Sequence, residues 1–213
     1  YIVNEQGRQD HVANTMSAPY YRMDGDGNSI DLGTTTYLDV DINDYSMEAL
    51  VKIENLTGEL NIFVNYDGTT TDGVFFGIDG SKLRSILYVG ATSKRAIGNT
   101  TIVVGKWYHL VTTVDRSSAT GIKLYINGVE ETYSTQEDVT DVSGACVSTA
   151  NKFLSRAYGS TADGIYGEFA KFRFFSNALS ATEVKELYSG VPVAYKYKGA
   201  NRTNLVTGDD YDF

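Results

Sequence analysis

The chain has 213 residues and a net charge of −9, with 18 Lys and Arg against 27 Asp and Glu, and no basic run interrupts it. Nucleic acid and anionic membranes recruit basic patches, so neither is expected as a partner. The 21 Gly, 2 Pro and 16 Tyr argue against a helical bundle and for many short strands joined by tight turns, in one large all-β unit.

Cys146 is the single cysteine, so no disulfide closes within the chain and the fold rests on its core. No apolar stretch reaches the roughly 18 residues of a membrane span, and the first residues lack the charged-then-apolar pattern of a signal segment. The chain begins at Tyr1, and a fragment of a longer protein is expected.

Residues 1–19 are polar and aperiodic and read as an arm or linker. In YYRMDGDGNSIDLG, from Tyr20, a turn-rich centre separates two short strands. Asp24, Asp26 and Asn28 alternate there as oxygen ligands do in a calcium loop. Ser29 stands where the helix-loop-helix version needs Gly, and Thr35 where it needs the bidentate Glu. The segment is thus open to two readings, an Asp/Gly turn or a calcium site. SMEALVKI (residues 46–53) alternates as a strand, and ELNIFVNYDG and DGVFFGIDGSKLRSILYVG continue the pattern, with turn signals about every 8 to 12 residues, as in a sandwich or barrel.

Trp107–Val114 is long enough to cross a sheet, with Trp107 expected as a core anchor and His109 as a half-buried, hydrogen-bonded strand residue. After a polar loop, Ile122, Leu124 and Ile126 share one face while Lys123, Tyr125 and Asn127 share the other. Asn127-Gly128 supplies the two positive φ values of a type I′ turn, which predicts a hairpin of residues 121–126 with 129–133. In NALSATEVKELYSGVP, Ser180 and Glu183 form a capping box and Leu179 a staple. Val184, Leu187 and Tyr188 share a face, and Gly190 and Pro192 stop the helix.

Four segments in order, YRMDGDGNSIDLG, SMEALVKI, GKWYHLVTTVD with IKLYINGVE, and GEFAKFRFFSNALSATEVKELYSG, resemble the laminin-G-like, concanavalin A-like jelly-roll family. The resemblance covers residues 20–190 and implies an all-β antiparallel sandwich with one short C-terminal helix. Residues 191–213 are then an extension or linker to a further module. Relatives often hold a structural calcium ion between the opening segment and the closing strand. By resemblance the metal ligands here would be Asp24, Asp26, Asn28 and Glu168. The family commonly has Trp where Leu50 stands and acidic residues where Ala170 and Lys171 stand.

Some relatives degrade polysaccharides, but the Glu-x-Asp-x-Glu string of the sandwich hydrolases is missing, as are the Arg-x-Glu-x-Arg and Gln-x-His strands of alginate-lyase-like enzymes. No catalysis is expected. A non-catalytic, lectin-like module that binds a polysaccharide or cell-surface glycan is the expectation. Its ligand contacts would be Tyr66, Asp67, Tyr88, Arg95, Tyr133, Arg156, Tyr158 and Tyr166, aromatic faces and hydrogen-bonding groups at strand ends and loops. The tail resembles segments of tailed-phage structural proteins, which implies a virion or extracellular setting beside neighbouring modules. The alternative is a structural or protein-interaction jelly roll that binds no sugar. Sequons begin at Asn55, Asn99 and Asn201, where Thr-rich stretches produce them by chance.

Overall fold

The structure is a computed structural model that describes residues 20–25, 28–66, 72–90, 92–156 and 163–189. The strands are β1 (Tyr21–Asp24), β2 (Ile30–Gly33), β3 (Tyr45–Ile53), β4 (Leu60–Asn65), β5 (Gly73–Asp79), β6 (Lys82–Val89), β7 (Thr92–Thr101), β8 (Trp107–Val114), β9 (Ile122–Ile126), β10 (Val129–Glu130), β11 (Tyr133–Gln136), β12 (Lys152–Leu154) and β13 (Tyr166–Phe175), followed by helix α1 (Ala181–Ser189). Among the described residues they form a six-stranded sheet ordered β1-β13-β3-β8-β9-β10 and a seven-stranded sheet ordered β11-β7-β6-β5-β4-β12-β2. All ladders between these strands are antiparallel. The expected all-β sandwich with one C-terminal helix is the fold observed.

Period-two alternation builds the core. On β3, Tyr45, Met47, Ala49, Val51 and Ile53 face inward, and on β8 and β9 Leu110, Val114, Ile122 and Leu124 do the same. From the other sheet Phe63, Val74, Phe76, Leu83 and Leu87 meet them. Phe63 stacks on Phe172 across the interface at a centroid distance of 5.3 Å, and Tyr45 lies parallel to Phe174 at 6.1 Å.

One irregularity matters for everything on the outer face of the six-stranded sheet. The register of β13 against β3 shifts between Phe169 and Lys171, so Ala170 is an extra residue that resets the alternation. Phe169, Phe172 and Phe174 therefore all turn to the core, while Lys171 and Arg173 turn out opposite Leu50 and Glu48.

Two expectations need correction. Trp107 is not a core anchor: it pairs with Lys52 on the outer face, half-buried, with its ring 6.3 Å from that of Tyr20. Tyr108 takes the inward position instead. The hairpin turn at Asn127 and Gly128 has the expected positive φ values, 52° and 77°. Its second arm, however, is only Val129–Glu130 rather than residues 129–133. The chain then crosses to the other sheet, where Glu131 is buried and accepts hydrogen bonds from Thr100 N and Oγ1, and where Tyr133–Gln136 pairs with β7.

The helix starts as expected. Ser180 N donates to Glu183 Oε2 at 2.9 Å, and Val184 is buried against Val111 and Tyr125 with Leu179 packed beside them. Gly190 and Pro192, the expected stop, lie outside the described residues, as do the arm 1–19 and the extension 191–213.

Candidate functional site

The register of the seven-stranded sheet lines up one outward-facing row. Phe153 of β12 pairs with Val64, Val64 with Phe75, Phe75 with Ile86, and Ile86 with Arg95. Tyr66 follows the end of β4, and Tyr88 lies two residues beyond Ile86 on the same face. The rings of Tyr66, Phe75 and Tyr88 meet pairwise at centroid distances of 5.2, 5.0 and 5.6 Å. All three are half-buried, and Val64 and Ile86 lie buried on the same face. The result is an aromatic ledge on the sheet surface.

Gly77 lets this sheet close up. A Cβ there would stand 2.3 Å from Leu60 O and 3.0 Å from the Asn61 Cα, so only glycine admits the approach of β4 to β5.

A guanidinium marks each end of the ledge. Arg156 lies over the Phe153 ring at 5.0 Å, a cation–π contact. Arg95 Nε sits 3.7 Å from Glu137 Oε1, and the Arg95 backbone exchanges hydrogen bonds with Glu137 on β7's far side. Two forked donors separated by aromatic faces can bind hydroxyls or a carboxylate while a ring stacks between them.

The structure thus brings together Tyr66, Tyr88, Arg95 and Arg156 and adds Phe75 and Phe153, which sequence reading missed. The signal for Phe75 was present: in VFFGID, Val74, Phe76 and Ile78 take the inward positions, which leaves Phe75 outward. Asp67 and Tyr158 lie outside the described residues. Tyr133 and Tyr166 do not join the site. The Tyr133 hydroxyl accepts from Leu124 N at 3.0 Å and donates to Glu130, and burial pushes its ionisation upward. Tyr166 stands on the six-stranded sheet, opposite Asp24.

The calcium expectation meets a different arrangement. Glu168 is opposite Arg22, not Asp24, and its carboxylate lies 3.5 Å from Lys52 Nζ and 3.9 Å from Arg22. Its charge is taken up by two cations. Asp26 lies outside the described residues, and among the described ones no group of three or more His, Cys, Asp or Glu side chains is placed to hold a metal ion. Glu168 would have to exchange these ion pairs for a metal to take the role that the resemblance implies.

Among the described residues, a strongly perturbed carboxyl lies on the opposite face. Glu48, sealed from solvent, has His109 Nε2 at 2.9 Å, Lys171 Nζ at 3.1 Å, and Arg173 Nε in close contact. Burial pushes its carboxyl up, but hydrogen bonds from His109 and Arg173 and the charges of Lys171 and Arg173 outweigh it and hold it at about 2. A carboxyl ionised this firmly cannot serve as a general acid near neutral pH. The Tyr188 ring of α1 covers His109 at 5.7 Å.

Two antiparallel sheets with this order define the jelly-roll class of β-sandwich. A family model described as the concanavalin A-like lectin/glucanases superfamily matches residues 24–185, and the chain belongs to that superfamily. No curated protein matches the chain. Among solved structures, the CBM40 of Ruminococcus gnavus IT-sialidase bound to alpha2,3 sialyllactose is similar, with a TM-score of 0.62 and 13% identity over 79% of this chain and 96% of that one. The binding domain of Paraclostridial Mosquitocidal Protein 1 gives a TM-score of 0.62 and 14% identity, covering 81% of this chain and 47% of that chain. Domain 4 of AbnA, a GH43 extracellular arabinanase from Geobacillus stearothermophilus in complex with arabinotriose, gives 0.54 and 23%, over 78% and 75%. At these identities the likeness is one of fold.

Proposed function

We propose that this chain is a non-catalytic, lectin-like module that binds a polysaccharide or cell-surface glycan on the outer face of its seven-stranded sheet. The observation that carries the reading is the Tyr66, Phe75 and Tyr88 ledge flanked by Arg95 and Arg156. A sugar ring offers an apolar C–H face to an aromatic side chain and a rim of hydroxyls to nearby donors, and the ledge supplies both partners in one place. The similar structures support it, since sialyllactose and arabinotriose are bound in two of them.

A shallow surface buries little area and exchanges water hydrogen bonds for protein ones, so single-site affinity is modest and repeated copies supply avidity. The module serves a larger extracellular or virion protein, beside neighbouring modules. No helix among the described residues is long and apolar enough to cross a membrane. A structural calcium ion at the opening segment is a further part of this proposal, with Asp24, Asp26, Asn28 and Glu168 as its ligands.

A glycan array run with and without calcium tests the reading. Binding to a defined glycan class, with the polymer left intact, is expected. Shortened polymers would replace it by an enzymatic reading, and a blank array in both conditions would favour the structural-module alternative.

A further inference from the structure

A separate polar cluster is sealed beneath one edge of the ledge. Antiparallel pairing sets Phe153 against Val64 and Leu154 against Phe63, and Lys152 and Asn65 are the next residues of their strands just beyond that ladder. Successive residues of a strand point to opposite faces. Phe153 and Val64 look outward, so Lys152 and Asn65 look inward, and both are 0% exposed. Asp39, from the loop between β2 and β3, stands between them. Its Oδ1 lies 3.1 Å from Lys152 Nζ and accepts a 3.1 Å hydrogen bond from Asn65 Nδ2. Lys152 Nζ also donates to Ser148 O at 2.9 Å. Asn65 Oδ1, in contrast, is buried with no hydrogen-bond partner.

A buried lysine, a buried amide on the adjacent strand and a carboxylate touching both make a reactive set as well as a structural one. A buried ion pair is costly to keep. We propose that Lys152 and Asn65 become joined by an intramolecular isopeptide bond once the sandwich has folded, with Asp39 as the proton carrier. Asp39 takes a proton from Lys152 Nζ, whose freed lone pair attacks Asn65 Cγ. The tetrahedral species then collapses, the Cγ–Nδ2 bond breaks, and Nδ2 leaves as ammonia. Of the two protons that Nζ sheds, one departs on the ammonia and one stays on Asp39. One carbon–nitrogen bond forms, one breaks, and no oxidant or reductant is needed.

The product removes the buried ion pair. Asp39, now an uncharged acid, can donate to the amide oxygen that had no partner, which accounts for the orphaned Oδ1. The linkage ties β4 to β12 directly beneath Tyr66 and Phe153.

Mass spectrometry of the intact, denatured full chain tests this. The wild type is expected to be lighter than its sequence mass by one ammonia, and its digest to contain the Lys152 and Asn65 peptides covalently joined. Asp39→Ala is expected to keep the full mass with the peptides separate. Asn127-Gly128 could lose the same mass by cyclising to a succinimide, but that joins no peptides. A wild-type chain at full mass, or one lighter by ammonia without the joined peptides, overturns the proposal. Joined peptides in Asp39→Ala would overturn the role of Asp39.

Discussion

Glu48 is a single carboxylate, itself closed to water, that faces the partly exposed cations Lys171 and Arg173 and the ring of His109. Its carboxyl is held at about 2 in the folded chain against 4.5 when free, so it stabilises the fold above about 4.5 and that contribution is lost as the pH falls toward 2. Melting temperature should fall more steeply from pH 5 to 2.5 in the wild type than in Glu48→Gln, which should already be weaker by about 3 kcal/mol at neutral pH because its cations lose their partner. Parallel curves would contradict the assignment. Cys146 makes the opposite case. Burial first, and then the charge of Asp72, push its thiol up to about 12. It should stay unmodified by a thiol reagent at pH 8 in the native protein and react after unfolding; rapid native labelling would show that the site opens.

At the scale of elements, the packing of β4 on β5 depends on Gly77, because an added Cβ would meet the Leu60 carbonyl at 2.3 Å, and backbone cannot swing aside as a long side chain can. Gly77→Ala should cost about 2 kcal/mol in chemical denaturation, the range of an overpacked interior; a change near zero would mean the sheet relaxes freely. Much of this level was legible in the sequence. Local chemistry dictates it: Asn127-Gly128 has to be a tight turn, and Ser180 with Glu183 has to open a helix. The departures have physical causes as well. One extra residue at Ala170 inverts the facing of everything after it, and no periodicity count locates a bulge within a run as uniform as EFAKFRFF. Trp107 faces outward, and size and apolarity do not fix which face of a half-buried strand a side chain takes. Tyr66, Tyr88, Arg95 and Arg156 were each legible as surface aromatics and cations, but their convergence depends on the register of β4, β5, β6, β7 and β12. Tyr133 and Tyr166 looked identical in sequence and lie elsewhere. The Asp39, Asn65 and Lys152 cluster joins segments far apart in the chain and had no local signature at all.

Viewed as a whole, the molecule divides its labour between two sheets. The six-stranded sheet is covered by α1 and by the ion pairs of Glu48 and Glu168, and the seven-stranded sheet carries the aromatic ledge. The opening segment, β1 against β13, is the place where a calcium ion would act on the whole fold. A ligand bound only by the folded state adds about 2.7 kcal/mol at a hundredfold excess over its Kd, so millimolar calcium should raise the melting temperature above that in EDTA. Coincident curves would leave DGDGNS a plain turn.

Affinity electrophoresis through a polysaccharide drawn from the array hits distinguishes a ledge that binds sugar from one that cuts it. The wild type should be retarded and the polymer should gain no new ends. Tyr88→Ala, with an unchanged melting curve, should lose about tenfold in affinity, as expected when an interface anchor worth over about 1 kcal/mol is removed. Equal retardation of the two proteins would mean that binding lies away from the Tyr66, Phe75 and Tyr88 surface, against the proposed site.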